Sequence, residues 1–247
     1  MRTYGLIGFP LGHSFSVPYF SDKFTKEGID AVYKNFPLED ISDFESLVSS
    51  EPDLAGLNVT VPYKQKVIPY LDALSKTART IGAVNTIVFC RRDSRLALIG
   101  HNSDVIGFEK SLKENLKENH TGAIVLGTGG SSKAVTYVLE KLGIEYQMVS
   151  RTEGEDRLTY GELDSKLVKK SSLIINTTPL GMHPHTDTFP DIPYNAISSD
   201  HLLFDLVYNP EKTLFLSKGE EQGATIVNGY QMLVFQAEGS WERWSKS

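Results

Sequence analysis

The chain has 247 residues, 40% hydrophobic and 23% charged, enough for one large domain or two of moderate size. Its 25 basic and 31 acidic residues give a formal net charge of -6 with no long single-sign run, which argues against nucleic acid as a partner, since phosphate recognition needs a basic footprint. No apolar run approaches a membrane span, "MRTYGLIGFP" lacks the apolar core of a signal peptide, and the single Cys90 sits in strand-like "TIVFC". A cytoplasmic protein with a buried thiol and no membrane contact is expected.

Short apolar runs alternate with helical patterns almost throughout, without internal repeats, which predicts an α/β fold with mainly parallel sheets. "TYGLIGF" (3–9) reads as a strand leading through a loop into a helix from about Ser16, with Pro18 in its first turn and Gly28 near its end. "AVYKNF" is the next strand, "DISDFESLV" a short helix, and "GLNVTVPYKQ" (56–65) contains the third strand. In that strand Asn58, Thr60 and, if the alternation survives Pro62, Lys64 share one parity, while Val59 and Val61 share the other. An amide, a hydroxyl and an ammonium are thus aimed in one direction. The helical pieces "YKQKVIPYL" and "SKTARTIG" follow, then "NTIVFC" and "RLALIG" as a hairpin. "DVIGFEKSLKENLKE" (104–118) reads as a linking helix with a solvated charged face. Beyond it "AIVLG", "EYQMV", "SLIIN", "HLLFDLV" and "ATIV" form five short strands, the cadence of a dinucleotide-binding domain. The tail "NGYQMLVFQAEGSWERW" reads as an amphipathic helix that returns to the first domain. Two domains are expected: an N-terminal α/β domain over 1–103, completed by 229–247, and a Rossmann-like domain over 104–228.

"AIVLGTGGSSKAVTYVLEKLG" places Gly127, Gly129 and Gly130 between a strand and an amphipathic helix. Glycines there let the backbone turn sharply and approach a pyrophosphate, whose charge is stabilised by the helix N-terminus. A plain strand-to-helix turn also takes glycine, but this one is followed by a second strand ending at Val149 or Ser150. Ser132 stands where the fingerprint has its third glycine, so the match is a variant. At the end of the second strand an NAD-binding chain carries an acidic residue, whereas this one carries Ser150 and then Arg151. That pair suits a 2′-phosphate and favours NADP, although Glu153, Glu155 and Asp156 stand close by and oppose it.

Reducing a ketone by hydride transfer requires a proton donor for the developing alkoxide, a task a lysine performs beside a suitable partner. Lys64 is the candidate, with Asn85 in "GAVNT" and Asp104 in "GHNSDVIGF" as neighbours in chemistry. Together "GFPLGHSFSVPYF", "GLNVTVPYK", "GAVNT", "GHNSD", "GTGGSSKA", "SRT", "INTTPLGM", "FDLVYNP" and "NGYQMLVFQA" follow the order of motifs in the shikimate dehydrogenase family, which the chain resembles over nearly its whole length. The resemblance implies a substrate-binding catalytic domain at 1–103 and an NADP-binding domain at 104–228. The reaction implied is the NADPH-dependent, reversible reduction of 3-dehydroshikimate to shikimate, on the shikimate pathway to chorismate and the aromatic amino acids. It implies Lys64 and Asp104 as the catalytic pair, with Lys64 giving a proton to the C3 oxygen and Asp104 orienting the ammonium and holding a substrate hydroxyl. Ser14 and Ser16 match the carboxylate-binding pair, and Thr60, Asn85 and Gln236 match contacts to ring hydroxyls. Tyr208 matches a tyrosine near the substrate. Gly127, Thr128, Gly129, Gly130, Ser131, Ser150, Arg151, Thr152, Leu206 and Gly229 fall on cofactor-contacting positions.

The match has departures. Ser103 and Val105 replace a threonine and a glycine around Asp104, and the span from Ser150 to Ser172 is short, which predicts a trimmed helix beside the adenosine site. Two other readings compete: a quinate/shikimate dehydrogenase using NAD, and a catalytically silent relative that binds cofactor or metabolite. A methylene-tetrahydrofolate dehydrogenase shares the two-domain plan by analogy of fold only. His183 and His185 are read as loop residues and no metal is expected. His13 is expected to shape the substrate loop, and Tyr160, Trp241 and Trp244 to pack. Monomer and homodimer both fit.

Overall fold

The structure, a computed structural model, describes residues 1–12, 14–92 and 95–246, so His13 lies outside the described residues. The chain divides into two compact units, Met1–Ser103 with Ala237–Ser247, and Asp104–Gln236.

The first unit is built on β1 (Arg2–Gly8), α1 (Ser16–Glu27), β2 (Ala31–Pro37), α2 (Phe44–Ser50), β3 (Leu54–Val59), α3 (Tyr63–Lys66), β4 (Ala73–Leu74), α4 (Lys76–Ile81), β5 (Thr86–Arg92) and β6 (Arg95–His101). Its six-stranded sheet has the order β2-β1-β3-β5-β6-β4. β2, β1 and β3 run parallel, as do β4 and β6, while β5 is antiparallel to both of its neighbours. Helix α1 buries Ser16, Phe20 and Phe24, four residues apart on one stripe, and ends where Gly28 takes a left-handed conformation (φ 63°). Phe20 and Phe24 dock on Tyr4 and Tyr33 of the sheet.

The second unit holds α5 (Asp104–Lys113), β7 (Gly122–Leu126), α6 (Gly130–Leu142), β8 (Glu145–Ser150), β9 (Arg157–Thr159), α7 (Ser165–Lys170), β10 (Leu173–Asn176), β11 (Leu202–Asp205), α8 (Leu214–Glu220) and β12 (Thr225–Val227). These strands pair in parallel in the order β12-β11-β10-β7-β8-β9. "LIIN" and "LLFD" are buried along their whole length, as strands covered on both faces must be. From β7 the chain winds outward through β8 and β9. It then returns to the other side of β7 at β10, so the order reverses between β7 and β10. A crevice at such a switch point is where open parallel sheets bind ligands.

The last helix, α9 (Tyr230–Trp244), belongs to the second unit up to Gln236 and to the first from Ala237. Trp244 is fully buried, stacks on Tyr4 with ring centroids 4.9 Å apart, and donates its indole N–H to the Ile87 carbonyl at 3.0 Å. Gly56 in β3 makes that seat possible, because a Cβ there would stand 2.2 Å from Trp244 Nε1.

Three elements differ from the sequence reading. The linking helix stops at Lys113 instead of 118, and the chain turns at Asn115. β4 and β9 were not expected, being two and three residues long. As expected, the short 150–172 span trims the helix that follows the second strand: after the edge strand β9 only the six-residue α7 (Ser165–Lys170) precedes β10. Among the described residues no helix is long and apolar enough to cross a membrane.

Candidate active site

In the first unit, the backbone joins the segments that carry the expected substrate residues. The β1–β3 pairing continues past the strand ends, with Thr60 N–H donating to the Ile7 carbonyl at 2.9 Å and Phe9 N–H to Val61 at 3.2 Å. Gly8 allows this approach, since a Cβ there would lie 2.5 Å from the Thr60 methyl. Val84 N–H donates to the Lys64 carbonyl at 2.7 Å, and Val59 N–H to that of Asn85 at 2.9 Å. The start of the loop that leads to Ser14, the segment from Thr60 to Lys64, and Asn85 thus come together beyond the carboxyl ends of β1 and β3, and Ser16 opens α1 at the far end of that loop. Ser14 Oγ accepts from Ser16 N–H at 3.2 Å, while the N-cap position of α1 is Phe15 with no side-chain cap. Simple helix capping therefore does not account for the two serines.

The strand parity does not reach Lys64. β3 ends at Val59, and Tyr63–Lys66 is a helical turn anchored by Tyr63, whose hydroxyl donates to the Leu38 carbonyl at 2.6 Å. Lys64 is half-buried on that turn, as is Thr60 before it. Asn58 does not line a pocket with them: its side chain is buried and bonded to Tyr33, Ser240 and the Asn85 carbonyl. Nearby His101 is held down to about 4, first by burial and then by Arg243, so it is neutral near pH 7 and gives this region no cation.

In the second unit, β7 delivers the chain into the glycine turn. Gly127 is left-handed (φ 102°), and a Cβ on it would stand 2.8 Å from Thr177 Oγ1. Gly129 caps α6 without any side-chain bond and has open space where a Cβ would be, while Gly130 and Ser131 form the helix's first turn. The first amides of α6 thus have an open approach for an anion. Ser132 donates to the Gly129 carbonyl at 2.6 Å and braces the loop from inside. A cavity of about 270 Å³ opens beside this turn, lined by Gly127, Thr128, Gly129, Ser150, Arg151, Tyr160, Thr177, Thr178, Pro179 and Leu180. Thr152 bonds back to Ser150 Oγ through its N–H at 3.4 Å. Among the described residues no ion pair joins Arg151 to Glu153, Glu155 or Asp156, and Asp156 pairs with Arg157 at 3.3 Å. These residues fit a dinucleotide carrying a 2′-phosphate: donors at a helix start, a cradle that a Cβ would fill, and an exposed guanidinium at the end of the second strand.

Leu206 and Gly229 come together at the ends of β11 and β12, where a Cβ on Gly229 would lie 2.1 Å from the Leu206 carbonyl oxygen. Asp104 opens α5 and is buried, and Gly107 one turn later brings that helix within 3.0 Å of the Gln236 side chain, measured from its Cβ position. Tyr208 is half-buried, which pushes its hydroxyl up.

Sequence reasoning missed several residues of this unit. Tyr160, read as packing, does pack on the core, but it also lines the nucleotide cavity. Burial pushes its hydroxyl up while Arg151 pulls it back. Thr177 and Thr178 were visible in "INTTPLGM", yet nothing in their spacing announced a role. Asp205 is fully buried behind the loop that carries Leu206 and Tyr208. It accepts from Asn176 Nδ2 at 2.9 Å, Val207 N–H at 3.0 Å and Thr213 Oγ1 at 2.6 Å. Burial nevertheless raises it to about 6. His183 and His185 lie in an exposed loop, and among the described residues no group of three or more His, Cys, Asp or Glu could hold a metal ion.

Fold and site define a two-unit α/β protein whose second unit is Rossmann-like, with a glycine turn at the switch point of a parallel sheet. Residues 6–87 match the family model described as the shikimate dehydrogenase substrate binding domain. The chain is 38% identical to "Shikimate dehydrogenase (NADP(+))" of Halothermothrix orenii, over 99% of this chain and 91% of that one. It is 35% identical to the protein of the same name from Carboxydothermus hydrogenoformans, over 98% and 90%. The crystal structure of a chorismate mutase/shikimate 5-dehydrogenase fusion protein from Clostridium acetobutylicum superposes with a TM-score of 0.88 at 36% identity, over 99% of this chain and 91% of that one. The chain belongs to the shikimate dehydrogenase family.

Proposed function

We infer that this protein is an NADP-dependent shikimate dehydrogenase, an oxidoreductase of the shikimate pathway that reversibly reduces 3-dehydroshikimate to shikimate. The observation that carries this reading is near-full-length similarity to relatives of that name in a chain that keeps Lys64, Asp104 and the glycine turn. Bound NADPH supplies the hydride. Gly127, Thr128, Gly129, Gly130 and Ser131 hold its pyrophosphate on the α6 amides; Ser150, Arg151 and Thr152 hold the 2′-phosphate, and Leu206 and Gly229 border the remainder.

On the substrate, Ser14 and Ser16 bind the carboxylate, and Thr60, Asn85, Gln236 and Tyr208 contact the ring and its hydroxyls. Lys64 gives a proton to the C3 oxygen as negative charge develops there and takes it back in the reverse direction. Asp104 accepts from a substrate hydroxyl. In this reading residues 1–103 with the C-terminal helix form the substrate-binding domain, 104–228 the NADP-binding domain, and the enzyme works in the cytoplasm as a monomer or homodimer.

The test is an absorbance assay of NADPH formation that crosses shikimate and quinate with NADP and NAD. Turnover of shikimate with NADP is the expected result. Turnover of quinate with NAD as the best pair would overturn the assignment of substrate and cofactor, and folded protein without turnover would overturn the assignment as an enzyme.

A further inference from the structure

Asn85 sits in a buried polar network of the first unit, of whose members the chemistry above uses Asn85 alone. Tyr33 Oη donates to Asn58 Oδ1 at 2.8 Å. That fixes the Asn58 amide so that Nδ2 donates to Ser240 Oγ at 2.9 Å and to the Asn85 carbonyl at 3.1 Å. Ser240 Oγ in turn lies 2.8 Å from Thr86 Oγ1 and 3.0 Å from Ser103 Oγ. Each of those hydroxyls stands 3.1 Å from Asn85 Oδ1, and Ser103 N–H donates to the same oxygen at 2.6 Å. Asn58, Asn85, Thr86, Ser103 and Ser240 are all at most 5% exposed. Buried polar groups at these distances are held in place, because a lost partner is not replaced by water.

The network has a consequence for Asn85. Its Oδ1 is surrounded by donors, so the amide has one orientation, with Nδ2 as the end that donates to a substrate oxygen. Asn58 Nδ2 reaches Thr86 Oγ1 directly only at 3.5 Å, so Ser240 supplies the shorter link from Asn58 to Thr86 and the link to Ser103, and it does so from the C-terminal helix, 155 residues along the chain from Asn85.

We propose that Ser240 is a positioning residue for Asn85: its hydroxyl links Asn58 to Thr86 and Ser103, and through them holds the Asn85 amide ready to donate to a substrate hydroxyl. The proposal rests on the reading of Asn85 as a substrate contact, so its test has a readout that does not need turnover.

Ser240→Ala, the near-isosteric Ser240→Cys, Asn85→Ala and the double variant Ser240→Ala/Asn85→Ala are compared with the parent protein. Steady-state kinetics with shikimate and NADP are measured together with the side-chain amide resonances of 15N-labelled protein. Ser240→Ala should raise KM for shikimate about three- to tenfold, the size of one lost hydrogen bond, with kcat within about twofold and KM for NADP unchanged. In the Asn85→Ala background the same substitution should change KM by less than about twofold, because the residue it acts through is gone. The Asn85 Nδ2 resonances should shift and exchange faster in Ser240→Ala. Unperturbed Asn85 resonances, or a KM loss that is fully additive in the double variant, would overturn the positioning role. Parent protein without shikimate turnover would remove the functional reading, and the amide resonances would then decide the positioning role alone. Should Ser240→Ala not fold, Ser240→Cys, which keeps the volume but only a weak donor, carries the same measurements.

Discussion

Replacing Asp205 with asparagine should make the protein's stability less dependent on pH, and the size of the effect follows from its surroundings. The carboxylate lies in the second unit with no exposed surface, and burial raises it from 3.8 to about 6. A group whose folded value lies above its unfolded one stabilises the fold fully below the unfolded value, and that contribution is lost as pH rises through the folded value. For Asp205 the loss falls between pH 3.8 and about 6. At roughly 1.36 kcal/mol per pH unit, it comes to about 3 kcal/mol, of which about 2 kcal/mol falls between pH 4.5 and 7.5. Asparagine is not charged at any of these pH values. Its Oδ1 can accept from Asn176 and Val207 as the carboxylate does, and its Nδ2 faces Thr213, whose hydroxyl can turn to accept. Urea unfolding of both proteins across that pH range measures the difference. The variant should gain about 2 kcal/mol on the parent as pH rises from 4.5 to 7.5, while its affinity for NADP stays the same. A difference that is flat with pH would show that Asp205 titrates normally. A variant that loses ground toward pH 7.5 would show that its three donors outweigh burial, and either result would refute the reasoning.

Three further outcomes follow from the site. Lys64→Ala should lower kcat by roughly two to four orders of magnitude while shikimate binding, followed by calorimetry, stays within a few-fold; a rise in KM alone would make the lysine a binding residue. Arg151→Ala should weaken NADP by about ten- to a hundredfold, the worth of a charge-assisted bond, and leave NAD nearly unchanged; equal losses would remove the 2′-phosphate role. Gly127→Ala adds a Cβ 2.8 Å from Thr177 Oγ1 on left-handed backbone, and should cost about 2–4 kcal/mol in urea unfolding along with most of the NADP affinity. Full stability in that variant would mean that the turn has another way to pack.

The α/β class was legible in the sequence because both of its signals are local. Short runs of three apolar residues ending in a polar one, such as "LIIN" and "LLFD", read as buried parallel strands, and Phe20 and Phe24 mark the inner stripe of α1 within two turns. The glycine turn was legible for the same reason, since strand, turn and helix are contiguous. What stayed hidden depends on distant partners or on very short elements. β9 is "RLT", three residues among charges, recognised only by pairing with β8. The polar parity of 56–65 suggested one wall, yet Asn58 turns to Ser240, 182 residues away, while Lys64 rides on a helical turn that no alternation rule describes. Asp205 and Tyr160 look ordinary in sequence, and burial and neighbours give them their character.

The seat of Trp244 on Gly56 bears on the order in which the protein is made. The second unit is contiguous, so all of its strands have been synthesised by residue 227. The first unit has all of its strands by residue 101, but not the two tryptophans that cover Tyr4, Phe20 and Phe24. While more than half the chain is still being translated, that aromatic cluster waits uncovered. The N-terminal unit, first to be made, is the last to be finished, and its completion coincides with arrival of the helix that brings Ser240. A ribosome-bound chain from which Trp241 and Trp244 have not yet emerged should therefore expose the cluster to chaperones, whereas one in which both are clear of the ribosome should withdraw it.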